Sequence, residues 1–278
     1  MNDRRSRPPP PRDNYRAPRP PAPSRPRSSD GERLYGLHAA LAAMKARPNA
    51  IMQVMHAPAM RPVLERLLAP LEAKGVSVRV LSVDTLDRMC ESTHHEGVVL
   101  LVRPTPPLGV DAVAETLIRS KGFALALDRV RNPHNVGAIL RSAAFFGIDV
   151  VLLESPEGQR VLTPAAVRVA EGGAEHVVTA RCTSLEEALG KLKRKGVGIV
   201  GTDRSATQRL FDAPLRGPCV LVMGNEREGL SDAIRAQCDS LVSIAGTDRV
   251  DSLNVSVAAG ILLAAAAHAR RAPESRAR

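Results

Sequence analysis

Aromatic side chains are nearly missing from this chain of 278 residues, where two Tyr, four Phe and no Trp make up 2% of the whole. Proteins that read single strands by stacking bases on an aromatic sheet need more, so any nucleic-acid contact here has to be mainly electrostatic and shape-based. Cysteine is scarce too. Cys90, Cys182, Cys219 and Cys238 lie far apart with no C-x-x-C pair, and His94-His95 has no cysteine or carboxylate at ligand spacing. That pattern predicts reduced thiols, a cytoplasmic chain and no structural metal. The most apolar run, Leu253 to His268, contains Asn254 and Ser256 and falls short of the roughly 20 residues that span a bilayer, so no membrane segment is expected. The Arg/Pro-rich N-terminus has no apolar stretch of the signal-peptide kind. No G-x-G-x-x-G follows a first strand and no G-x-x-x-x-G-K-[ST] occurs, which removes the usual fingerprints of dinucleotide and P-loop chemistry.

Positive charge, by contrast, is plentiful. Lys and Arg number 39 against 29 Asp and Glu, a net +10 with a pI near 10.2, and such a balance indicates a polyanionic partner, with nucleic acid the leading candidate. Apolar residues at 44% are ample for real cores. Residues 1–31 hold nine prolines and eight arginines against three aspartates. This segment cannot bury enough surface to offset its ordering entropy and is expected to be a disordered basic arm, either an RNA tether or a solubilising tail.

Residues 32–104 alternate helix and strand patterns: helices at 37–46, 62–74 and 83–90, strands at 50–54, 76–81 and 97–102. They predict a small α/β domain. The prolines of RPTPPLG, residues 103–109, then break the pattern, so residues 105–121 are expected as a linker. Residues 122–272 repeat short, near-continuous apolar strands between amphipathic helices, which predicts a mostly parallel sheet covered on both faces. From pattern alone that sheet is open and doubly wound. Ligands in such sheets bind outside the carboxyl ends of the strands.

Three loops at strand ends carry unusual residues. In NPHNVGAILRSAA, Pro133 pre-sets the turn, Asn135 can cap a helix, and Gly137 leaves room for close approach of another backbone. With the helix expected over 136–146, Arg141 falls near its positive end, where a cation is disfavoured unless a phosphate is held there. Taken alone it reads more readily as a solvated surface Arg. GNEREGL offers Gly224, Glu226 and Glu228 at an expected strand-to-helix turn. SLNVS places Ser252, Asn254 and Ser256 at the front of an apolar helix, where they cap it or meet a ligand.

Together and in this order, Asn135-x-Gly137-x-x-x-Arg141, Gly224-Asn225-Glu226-x-x-Gly229 and Ser252-Leu253-Asn254-Val255-Ser256 resemble the three motifs of the SpoU/TrmH family of RNA ribose 2′-O-methyltransferases. RLYGLHAALAAMKARP (33–48) and HEGVVLLV (95–102) look like the start and end of the small domain that precedes the catalytic one in many members. The resemblance implies an α/β chain with a C-terminal trefoil-knotted SPOUT domain and a preceding small, L30e-like RNA-binding domain. It also implies S-adenosylmethionine-dependent methylation of a ribose 2′-hydroxyl in rRNA or tRNA by a homodimer, without a metal. By motif position, Asn135, Arg141, Glu226, Ser252 and Asn254 are the implied catalytic residues, and Thr202, Gly224, Ile244 and Leu253 the implied cofactor contacts. Arg141 matches the family's catalytic arginine. A guanidinium is a very poor base, so its expected role is to position phosphate and the 2′-oxygen. The chain departs from the family at Ile244-Ala245-Gly246 and Asp248, where members usually have Ile-Pro-Met and a Gly. Two rivals follow: a non-catalytic RNA-binding or ribosome-assembly factor with weakened cofactor binding, and a base methylator of the same superfamily.

Overall fold

Residues 31–247 and 249–271 are described by a computed structural model of the chain. The arm expected over 1–31, all but its last residue, and the departure at Asp248 lie outside these described residues.

The first sheet is built from β1 (Glu32–Tyr35), β2 (Ile51–His56), β3 (Ser77–Val80) and β4 (Val98–Val102), in the order β1-β4-β2-β3. β2 and β3 are parallel, and β4 runs antiparallel to both β1 and β2. Three helices accompany it: α1 (Leu37–Ala46), α2 (Arg61–Ala73) and α3 (Val83–Cys90). On α2, Leu64, Leu68 and Leu71 recur at helical spacing and bury one stripe against Val54, Val98 and Leu100. α1 contributes Ala39, Ala40, Ala43 and Met44 to the same core. β1 was not expected from the sequence: ERLY is only four residues long and gains its identity by pairing with β4.

The second sheet has six strands, β5 (Phe123–Leu127), β6 (Val150–Glu154), β7 (Val178–Cys182), β8 (Gly198–Thr202), β9 (Cys219–Met223) and β10 (Ser240–Val242). Its order is β10-β8-β9-β5-β6-β7 and every neighbouring pair is parallel. Its helices are α4 (Val110–Ser120), α5 (Pro133–Phe146), α6 (Pro164–Val169), α7 (Leu185–Arg194), α8 (Asp232–Gln237) and α9 (Val255–Arg271). Alternation along β5 shows why both faces are dry: Phe123, Leu125 and Leu127 join α5 and α9 in one core, while Ala124 and Ala126 join α4 and α7 in the other. The segment 105–121, expected as a linker, therefore holds a helix. α4 buries Val113, Ala114 and Leu117 under the sheet.

The two sheets are tied through α1. Arg47, just past its end, donates from Nε to Glu175 Oε2 at 2.7 Å and from Nη2 to Glu175 Oε1 at 2.9 Å, and its Nη1 reaches Arg103 O and Thr105 Oγ1. Close approach needs a glycine nearby: Gly172 has φ +89, and a Cβ there would lie 2.7 Å from the Ala42 side chain. The described residues form one compact unit.

Candidate functional site

The carboxyl ends of β5, β9 and β10 carry the three motif loops, and the structure brings one residue of each into contact. Asn254 donates from Nδ2 to Asn135 Oδ1 at 3.3 Å, and Asn135 donates from Nδ2 to Glu226 Oε1 at 2.6 Å. Each amide is oriented by the other contacts it makes. Asn254 Oδ1 accepts from Ser256 N at 2.9 Å and Ser256 Oγ at 2.6 Å, so Asn254 caps α9 while its NH2 group faces Asn135.

Local chemistry explains why Asn135 is available. Asn132, not Asn135, is the cap of α5: its Oδ1 accepts from His134 N at 2.9 Å, and Pro133 occupies the first helical position. Asn135 is thereby freed for Glu226. Gly137 does provide close approach, to α6: a Cβ there would sit 2.5 Å from Ala166 O and 2.6 Å from Val169 Cβ.

Starting at Pro133 also moves Arg141. It is the ninth residue of a 14-residue helix, beyond the first turn where the dipole acts, so the helix's positive end does not bear on it as the sequence suggests. Arg141 Nη2 instead meets Glu171 Oε2 at 2.9 Å, with the Arg side chain 60% exposed. It makes no contact with the Asn254–Asn135–Glu226 chain among the described residues. Ser252 is exposed ahead of α9.

The second motif is not a helix start, since α8 begins only at Asp232. It is a tight loop closed on itself: Asn225 Oδ1 accepts from Arg227 N at 3.0 Å and Glu228 N at 2.8 Å, and Gly229 N donates to Asn225 O. Gly224 is required by this loop, because a Cβ on it would lie 2.0 Å from the backbone of Gly229. A clamp missed by the sequence reading holds the loop to the first motif. Arg129, at φ +59, donates to Asp128 at 3.2 Å, to the Glu228 carboxylate and to Gly229 O at 3.1 Å. Asp128, only 3% exposed, accepts from Ser231 N at 2.7 Å. The available signal was an acidic residue closing the all-apolar strand FALAL.

The positions implied for a cofactor sit on the β10-β8-β9 side of the same edge. Thr202 ends β8 and donates from Oγ1 to Val222 O at 3.2 Å. Ile244 follows β10, half-buried against the core, and Leu253 is 41% exposed beside Val250 at 73%. Uncovered apolar side chains at strand ends, beside the exposed Ala245 and Gly246, suit a bound group with an apolar body. Two cavities of about 440 and 410 Å³ lie elsewhere: the first between the loops after β5 and β6, lined in part by Arg129, Arg131 and Arg160, the second around Arg141. Among the described residues no cluster of three His, Cys, Asp or Glu side chains could hold a metal, and no helix is long and apolar enough to cross a membrane.

Polar residues from three loops thus meet at the carboxyl edge of a parallel sheet, where α/β folds bind their ligands, in a chain that also carries a small second sheet. The SpoU rRNA methylase family matches residues 122–264, and the RNA 2′-O ribose methyltransferase substrate-binding family matches residues 33–108. A 23S rRNA (guanosine-2′-O-)-methyltransferase RlmB from Shewanella oneidensis is 38% identical over 241 residues, covering 86% of this chain and 97% of that protein. Among solved structures, an RNA 2′-O ribose methyltransferase is similar at TM-score 0.71 and 25% identity, covering 87% of this chain and 90% of that one. The SpoU methyltransferase AviRb of Streptomyces viridochromogenes, in complex with AdoMet, has the same fold at TM-score 0.72 and 24% identity, covering 87% and 91%. The chain belongs to the SpoU rRNA methylase family. It is an RNA 2′-O-methyltransferase.

Proposed function

We propose that this chain transfers a methyl group from S-adenosylmethionine to the 2′-hydroxyl of a guanosine in 23S rRNA, as a cytoplasmic homodimer. In this reading residues 32–104 form the domain that grips RNA and residues 122–272 the catalytic domain, with the trefoil knot of its family. The observation that carries it is the hydrogen-bonded row Asn254–Asn135–Glu226, which joins all three motifs. The guanosine and the 23S rRNA come from the similarity to the Shewanella oneidensis protein.

When bound, the cofactor supplies a sulfonium-activated methyl, so the protein's task is alignment and management of one proton. Thr202, Gly224, Ile244 and Leu253 would hold it at the β10-β8-β9 edge. Glu226 is exposed and engages Asn135 through one oxygen, Oε1, which leaves Oε2 for the ribose hydroxyl. Asn254 and Asn135 fix that carboxylate's direction, and Ser252 borders the same loop. Arg141 binds a phosphate of the strand. Dimerisation has support in α5 and α9, which pack together and leave Phe145 83% and Val257 52% exposed.

The test is methylation of a 23S rRNA transcript with labelled S-adenosylmethionine, followed by mapping of 2′-O-methyl nucleotides. The expected product is a single methylated guanosine. Absence of transfer alongside normal calorimetric binding of the cofactor would overturn the proposed substrate.

A further inference from the structure

The cavity of about 410 Å³ around Arg141 is lined from both sheets' units. His38 of α1 faces it from one side, and Arg141 and Ser142 of α5 with Arg168 of α6 face it from the other. Each guanidinium is held by a single carboxylate among the described residues: Glu171 meets Arg141 at 2.9 Å, and Glu96 meets Arg168 at 3.6 Å. With five N–H donors on each Arg, most donors remain free for a ligand. The Arg168 arm is also braced along its length. Gly36 is buried at φ +99, and a Cβ there would lie 2.6 Å from Arg168 Cγ. Glu96 in turn accepts from Leu37 N at 2.8 Å, which fixes the carboxylate to the start of α1. The His38 imidazole is exposed, with no hydrogen-bond partner among the described residues.

Two guanidinium groups and an imidazole converge on one cavity, which Glu96 and Glu171 also line, and their unspent N–H donors suit an oxygen-rich anion; the Ser142 hydroxyl is already donated to Ala138 O at 3.1 Å. On RNA that chemistry belongs to the phosphodiester and its ribose, which side chains of these types contact without reading sequence. Asn135 and Arg141 are six residues apart on α5, about 9 Å along the axis and about 120° round it. A strand presenting its reacting ribose to Asn135 would therefore pass round the helix and bring a neighbouring phosphodiester to the cavity. We infer that the cavity seats an RNA phosphodiester beside the reacting nucleotide, and that His38, from the small unit, is one of its ligands. The small unit then completes the substrate site as well as gripping RNA elsewhere. This inference rests on the methyl-transfer reading above.

The experiment measures KM for a 23S rRNA transcript and calorimetric affinity for S-adenosylmethionine in the wild-type chain, His38→Ala and His38→Gln. Loss of a hydrogen bond to a charged group is expected to raise the RNA KM roughly tenfold in His38→Ala. The cofactor affinity should be unaltered, and His38→Gln, which keeps a donor, should recover part of the loss. Transcripts with exchanged bases beside the target should show the same wild-type-to-variant ratio. An unchanged KM in His38→Ala, a loss that varies with the flanking bases, or a parallel fall in cofactor affinity would overturn the assignment. A wild-type chain that methylates no RNA counts against the methyl-transfer reading itself, whereas normal wild-type transfer with an unaffected His38→Ala counts against this cavity alone.

Discussion

Asn135 donates to Glu226 at 2.6 Å across 91 residues of sequence, the contact that joins the first motif to the second. Removing either partner should disorder the same carboxylate. Asn135→Ala and Glu226→Ala are each expected to lower kcat on the order of 100-fold, and the double variant should lose little more than either single one. Tritium transfer from labelled cofactor reads this. Fully additive losses would show that the two act separately.

Arg129 occupies left-handed backbone at φ +59, which costs an L-residue about 1 kcal/mol or more. Arg129→Ala loses the clamp to Asp128, Glu228 and Gly229 and keeps that cost, while Arg129→Gly loses the clamp and sheds it. The glycine variant should be the more stable of the two by about 1 kcal/mol. Urea midpoints in the reverse order would contradict the backbone argument.

Gly224→Ala places a methyl 2.0 Å from the Gly229 backbone, where no flexible side chain can yield. A loss of roughly 2–4 kcal/mol, seen by thermal melting, should accompany loss of methyl transfer. A stable, active variant would mean that the loop tolerates another course.

Burial, helped by the charge of Glu154, pushes the Cys182 thiol up to about 12, and burial with Asp239 does the same for Cys219. Both should therefore resist iodoacetamide in the native chain at about pH 8 and react once it is unfolded in urea. The sign for stability follows. A thiol whose folded value is raised contributes below its unfolded value, near 8.5, and that contribution is lost as pH rises above it. Urea midpoints should fall above about pH 9 and recover part of the loss in Cys182→Ala.

The strands of the large sheet were legible because five-residue apolar runs such as FALAL and CVLVM are buried on both faces and admit few other readings. ERLY was not, since its strand character comes from a partner 64 to 70 residues away, nor was α4, hidden behind three prolines. Motif loops stood out by residue type. Their internal geometry did not: Asn132 and Asn135 flank the same Pro-His pair, and only the fold decides which one caps. A helix starting at Val136, as the sequence suggests, makes Arg141 its sixth residue, whereas the start at Pro133 makes it the ninth and takes it out of reach of the dipole.

Arg47 grips Glu175 with two nitrogens and the Arg103–Thr105 backbone and hydroxyl with a third. Its carboxylate partner is 7% exposed and poorly placed to find water. The small sheet is therefore not an interchangeable attachment. A chimaera that grafts another relative's substrate-binding part onto residues 122–264 would strand Glu175 unless an arginine arrived at the matching point.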